Sequence, residues 1–187
     1  MKKALILTWE KFQDVELLYC YYKLLEEFKV DVASNKLGLI YGINGVKIKS
    51  NLIFGSDEIV DQNNSPISID DYQLVLVVGG LLSVEYARQN KVFIQTLKDF
   101  NSKGKIIASV CHGAQYLIEA DLTKGKKISG YYSIKKDIEN SGAEYVKDVV
   151  TDGNIITAPH YDYQTKWMME VVKLVNNKYE NDRLSDS

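Results

Sequence analysis

Cys111 stands where an apolar run, Lys105-Ile106-Ile107-Ala108-Ser109-Val110, meets His112-Gly113 and a stretch of helical character. A strand that turns sharply into a helix lifts one side chain above the carboxyl edge of a sheet, with the unpaired N–H groups of the helix start behind it. A cysteine so placed is a nucleophile, and the helix N-terminus is expected to bring its thiol below the pKa of about 8.5 of a free cysteine. The chain has only two histidines, His112 and His160, and each follows a strand-like run. Imidazole moves protons near neutral pH, so both are candidate acid–base groups. The pair Gly79-Gly80 ends another apolar run. Bare backbone there lets N–H groups approach a substrate, and with the amide of His112 they would form an oxyanion hole for an attacked carbonyl.

The elements that must hold these residues alternate short β-branched runs with amphipathic segments, the pattern of an α/β fold with a mostly parallel sheet wrapped by helices. Strands are predicted over residues 3–8, 29–34, 73–78 and 105–110. Helices are predicted over 15–27, 91–103, about 113–120, 134–141 and 164–176, several of them closed by Gly104 or Gly142. Asn44-Gly45 between 39–41 and 46–48 marks a hairpin, read as an antiparallel addition to the sheet. Asp152-Gly153 marks a second hairpin between 146–150 and 154–157. In open sheets of this kind ligands bind outside the carboxyl ends of the strands, where Trp9, Glu10, Phe12, Gln13, Gly79, Gly80, Cys111, His112, Pro159, His160 and Asp162 all fall.

With 187 residues and 45% apolar content the chain suits a single domain, set at 1–176, with residues 177–187 expected to fray as a charged tail. A net charge of −2 leaves no footprint for nucleic acid. The apolar run at 4–9 is too short for a signal peptide, and no stretch approaches a membrane span. Two cysteines, Cys20 and Cys111, make no disulfide framework, so a reducing, cytoplasmic setting is expected. Cys20 falls in the apolar pattern of the first helix and reads as buried. Neither metal-ligand spacing nor a phosphate or dinucleotide loop is found, so no cofactor is expected. Thirteen tyrosines are many for this length. Tyr19, Tyr21 and Tyr22 cannot all face one core, which suggests a subunit interface.

The string Ala108-Ser109-Val110-Cys111-His112-Gly113 resembles the ThiJ/PfpI family. So do Phe12-Gln13-Asp14-Val15-Glu16-Leu17, the Gly79-Gly80 turn, Ser133-Ile134-Lys135-Lys136-Asp137 and Asp152-Gly153-Asn154. The similarity extends over residues 4–176. It implies a flavodoxin-like α/β/α sandwich, a cysteine nucleophile, and homo-oligomers of two or more copies. The activities it implies are glyoxalase or deglycase chemistry on 2-oxoaldehydes, intracellular cysteine peptidase or amidase activity, or a non-catalytic role as redox sensor or stress chaperone. Carried onto this sequence, it assigns the nucleophile to Cys111, the adjacent histidine to His112, and the oxyanion donors to the amides of Gly80 and His112.

Three departures from the family pattern stand out. The carboxylate that hydrogen-bonds the cysteine is aligned with Gln13, which donates a hydrogen bond but cannot accept and return a proton. In that alignment a histidine does the proton transfer, or the site is weakened towards a sensor. Val78 replaces a proline before the glycine pair. Thr157-Ala158-Pro159-His160 replaces a pattern that usually contains arginine, exchanging an anion-binding group for an imidazole. A glutamate lent by a neighbouring subunit is matched, one residue off, by Glu85.

Overall fold

The computed structural model describes residues 1–185, and the side chains of residues 1–180. Chain order is β1 (Lys2–Leu7), α1 (Asp14–Leu25), β2 (Phe28–Ser34), β3 (Gly38–Tyr41), β4 (Lys47–Ser50), β5 (Leu52–Phe54) and β6 (Ile59–Val60). There follow β7 (Leu74–Val77), α2 (Leu81–Ala87), α3 (Lys91–Ser102), β8 (Ile106–Val110), α4 (Ala114–Glu119) and β9 (Lys127–Ser129). The chain closes with α5 (Lys135–Asn140), β10 (Glu144–Val146), β11 (Val150–Asp152), β12 (Ile155–Ala158) and α6 (Gln164–Ser185).

Eight strands form one sheet in the order β11-β12-β8-β7-β1-β2-β5-β6. The six inner strands run parallel, and β11 and β6 close the two edges antiparallel. Parallel strands are covered on both faces, which is why β1, β7 and β8 read as unbroken apolar runs. Leu5 and Leu7 point into one core with Val75, Val77, Phe93, Leu97, Phe100 and Tyr116, beneath α3 and α4. Ala4 and Ile6 point into the other, with Leu17, Cys20, Leu24, Trp167, Met168 and Val171 of α1 and α6. This is the flavodoxin-like α/β/α sandwich expected from the alternating pattern.

Three of the sequence expectations change. The Asn44-Gly45 hairpin forms, but β3 and β4 pair only with each other and do not extend the main sheet. The buried Asp14 carboxylate accounts for this: it accepts the Asn44 and Val46 N–H groups at 2.8 and 2.7 Å and ties the hairpin tip to the start of α1. The closing helix also runs on to Ser185 where the sequence suggested an end at Asn176, so most of the supposed tail is helical. Residues 186–187 lie outside the described residues. The second hairpin is β11–β12, whereas Val146 belongs to β10, which pairs with β9 in a separate two-stranded sheet. Of the three tyrosines in α1, Tyr19 and Tyr21 pack against the core and Tyr22 is exposed. Among the described residues no helix is long and apolar enough to cross a membrane.

Candidate active site

β8 delivers Val110 in extended geometry, and the next residue, Cys111, takes φ of +60° before the chain enters a single 3-10 turn and α4. A non-glycine residue in the left-handed region is uncommon and marks a position held by its surroundings. The turn brings Cys111 to the carboxyl ends of β7 and β8, against the Gly79-Gly80 turn. A Cβ at Gly79 would lie 2.9 Å from Glu16 Oε2, 3.0 Å from Cys111 Cβ and 3.0 Å from the His112 nitrogen, so only glycine fits. Gly80 has φ of +108° and presses on the Phe12–Gln13 backbone. We expect Gly79→Ala to cost about 2 kcal/mol by overpacking, read as a lowered midpoint in urea, together with a marked loss of Cys111 reactivity.

The carboxyl group at the thiol is Glu16. Gln13 supplies only backbone to the start of α1: its N–H donates to the Gly79 carbonyl at 3.2 Å and its carbonyl accepts from Leu17. The Gln13 side chain makes no hydrogen bond among the described residues. Alignment on Gln13 is therefore corrected by one helical turn. Glu16, fully buried, accepts the Gly79 N–H on Oε2 at 2.6 Å; its Oε1 is buried without a hydrogen-bond partner among the described residues, and the carboxyl group lies near enough to Cys111 to act on the thiol's pKa. Burial pushes the Glu16 acid up to about 7, against the smaller opposing effects of the Gly79 and Cys111 hydrogen bonds.

The thiol itself departs from expectation. Cys111 is only 6% exposed, and burial pushes its pKa up, helped by the negative charge and hydrogen bond of Glu16, with the His112 N–H opposing. A single 3-10 turn followed by six helical residues does not outweigh that desolvation. Two anions do not share this pocket comfortably, so above about pH 7, where Glu16 has ionised, the pair keeps one proton, and below it two.

Gly79 leaves the predicted oxyanion set, because its N–H is taken by Glu16. The Gly80 N–H donates to no group among the described residues, and the His112 N–H points at the sulfur. These two amides are what remains of the oxyanion set expected from the sequence.

His112 Nδ1 is 3.5 Å from Cys111 Sγ and its Nε2 is 3.4 Å from Ser133 Oγ. Burial lowers its pKa, so the ring is neutral at pH 7. Tyr131 lies between the two histidines, with ring centroids 4.8 Å from His112 and 5.5 Å from His160. His160 Nδ1 is 3.0 Å from Asp162 Oδ2. The structure thus places His160 one ring beyond His112. Glu85 is exposed on α2 and pairs with neither Cys111 nor a histidine among the described residues. Cys20 is buried with the Gln164 amide donating to its sulfur at 3.1 Å, and burial raises its pKa. Both cysteines are free thiols.

Sequence reasoning missed Glu16, Tyr131 and Ser133 as site residues. A signal for the first was present: Glu16 lies four residues before Cys20 and next to Leu17, on the stripe that α1 buries.

A match to the model of the DJ-1/PfpI family covers residues 2–174. The chain belongs to the DJ-1/PfpI family. It is 35% identical over 175 residues to the deglycase PfpI of Pyrococcus furiosus, covering 92% of this chain and 99% of that one. To the putative cysteine protease YraA of Bacillus subtilis it is 33% identical over 161 residues, 84% of this chain and 88% of that one. Among solved structures, a two-domain protein from Anabaena variabilis with DJ-1/ThiJ/PfpI-like and ferritin-like domains superposes with a TM-score of 0.85 at 26% identity. That match covers 94% of this chain and 48% of the other. In this chain the strand–turn–helix elbow at Cys111 stands near a buried carboxyl group on α1, Glu16.

Proposed function

We propose that this protein is a cysteine-dependent glyoxalase or deglycase acting on 2-oxoaldehydes such as methylglyoxal and on their amine adducts. One observation carries the reading: a buried carboxyl group with a pKa near 7 faces the elbow thiol, so a proton acceptor and donor stands at the nucleophile. The 35% identity to an enzyme named deglycase supports the choice of substrate class.

The sulfur of Cys111 adds to the aldehyde carbon as its proton passes to Glu16, and the resulting oxyanion lies against the Gly80 and His112 amides. Protonation of that oxygen gives a hemithioacetal. The proton on the former aldehyde carbon then leaves and one returns to the neighbouring carbonyl carbon, with His112, neutral at pH 7, as the carrier. The first carbon is thereby oxidised to a thioester and the second reduced to an alcohol, without an outside oxidant. Water cleaves the thioester to a hydroxy acid and the free thiol. From an amine adduct the C–N bond breaks as the C–S bond forms, and the amine leaves with the proton held by Glu16. Free thiols suit a cytoplasmic setting for this chemistry, and the exposed Val15, Tyr22 and Leu39 supply apolar surface for association of two or more copies.

Purified protein incubated with methylglyoxal is expected to produce lactate, and Cys111→Ser to produce none above the uncatalysed rate. Equal lactate from both proteins would overturn the reading. Hydrolysis of casein by the parent in the absence of any methylglyoxal turnover would replace it with peptidase activity.

A further inference from the structure

Beyond His112 the ring row opens into a groove of about 430 Å³, within the range of roughly 300–1,000 Å³ typical of small-molecule sites. Its walls are Tyr131, Tyr132, Tyr145, Tyr163, His160 and Lys147. The groove shares Tyr131 with the Cys111 site, since that ring lies tilted against His112 and Tyr132 with centroids 4.8 and 4.3 Å away. Tyr145 turns its hydroxyl away to donate to the Gly130 carbonyl at 3.1 Å, which leaves its ring as wall. Tyr132 is 72% exposed and Tyr163 37%, so stacking surface is uncovered.

The charges around the groove are unequal in their freedom. Asp162, also in the groove wall, lies 3.0 Å from His160 Nδ1, a contact that offsets its charge only when the ring is protonated, and the neighbouring Asp148 is paired with Lys166 at 2.9 Å. Lys147 forms no ion pair among the described residues. The groove therefore offers aromatic faces and one uncommitted cation, whose complement is a ring that carries an anion.

We propose that this groove is a carrier subsite for an aromatic α-amino acid with a free carboxylate, the ring stacking on Tyr132 and Tyr163 and the carboxylate meeting Lys147. The assignment deepens the reading of Cys111 as a carbonyl-attacking thiol: the amino acid is the amine half of an adduct whose carbonyl half lies at Cys111. A peptide-internal residue has no such carboxylate and a C-terminal residue has no free α-amine to form the adduct, so the groove favours free amino acids. Lys147 supplies the anion-binding group that the departure at Pro159-His160 had left missing.

Titration calorimetry of the full chain with N-acetylphenylalanine, N-acetylphenylalaninamide and N-acetylalanine tests the subsite without relying on turnover. The acid is expected to bind about 5-fold more tightly than its amide and about 5-fold more tightly than the alanine compound. In Lys147→Gln the preference for acid over amide should vanish while phenylalanine over alanine persists. In Tyr132→Ala the reverse is expected. Because each variant is read as a ratio between ligands, a general loss of folding does not imitate either result. No binding of N-acetylphenylalanine at millimolar concentration, or an acid preference that survives Lys147→Gln, would overturn the subsite. Selective binding by a protein that does not turn over methylglyoxal would uphold the subsite and remove the proposed function instead.

Discussion

Glu16→Gln is expected to lower the turnover of methylglyoxal at pH 7 by about 100-fold or more, the usual contribution of a positioned acid–base group. The substitution is nearly isosteric. Its amide oxygen still accepts the Gly79 N–H that Glu16 Oε2 accepts at 2.6 Å, so the turn beneath the nucleophile keeps its anchor. What is lost is the ability to take the thiol proton and give it back. Steady-state kinetics with lactate detection measures the effect, and the loss should appear in kcat more than in KM, because the proton moves during reaction. Turnover within a few-fold of the parent would mean that His112 or His160 carries the proton alone.

The same variant is expected to be the more stable protein at pH 8. In the folded chain Glu16 holds its proton up to about pH 7, whereas in the unfolded chain it loses it near 4.5, the ordinary value for a glutamate. Between those values the folded state binds more protons than the unfolded state, so stability falls as pH rises through the window. This contribution is complete below pH 4.5 and gone above about 7. At 1.36 kcal/mol per pKa unit it amounts to about 3 kcal/mol, which for a domain of this size is on the order of 5–10 °C in Tm. Glu16→Gln has no proton to lose there. The Tm difference between variant and parent should therefore grow in the variant's favour from pH 4.5 to 8, while every other titrating group cancels between them. A difference independent of pH would show that Glu16 is not an acid of raised pKa.

The sheet was legible because parallel strands buried on both faces leave uninterrupted apolar runs, as at Leu74–Val77 and Ile106–Val110. The elbow was legible because such a run ends at Cys-His-Gly. The partner of the thiol was less so. Reading along the chain puts Gln13 beside Phe12 at the strand end. The helix begins at Asp14, however, and turns Glu16 inward beneath Gly79. Only the helical phase separates the two, and one turn changed the chemistry from amide to acid. The retreat of Gly79 from the oxyanion set follows from the same contact. The raised thiol pKa depends on burial and on Glu16 together, neither of which a local motif contains. Tyr131 and Ser133 enter the site through the turn after β9, a tertiary approach with no sequence period. The fate of the Asn44-Gly45 hairpin likewise turned on one buried side chain, Asp14, whose hydrogen bonds hold it off the sheet.

Above about pH 7 Glu16 and Cys111 hold one proton between them, and the pH profile of Cys111 alkylation by iodoacetamide, followed by mass spectrometry in parent and Glu16→Gln, tests this most directly. Below pH 6 the two proteins are expected to alkylate at similar rates, because Glu16 is then neutral like glutamine. Above pH 7 the parent's carboxylate opposes the thiolate and the variant's amide does not, so the variant should react faster, on the order of 10-fold at pH 8. A rate ratio that stays constant across pH, or a variant slower than the parent at pH 8, would contradict the shared proton.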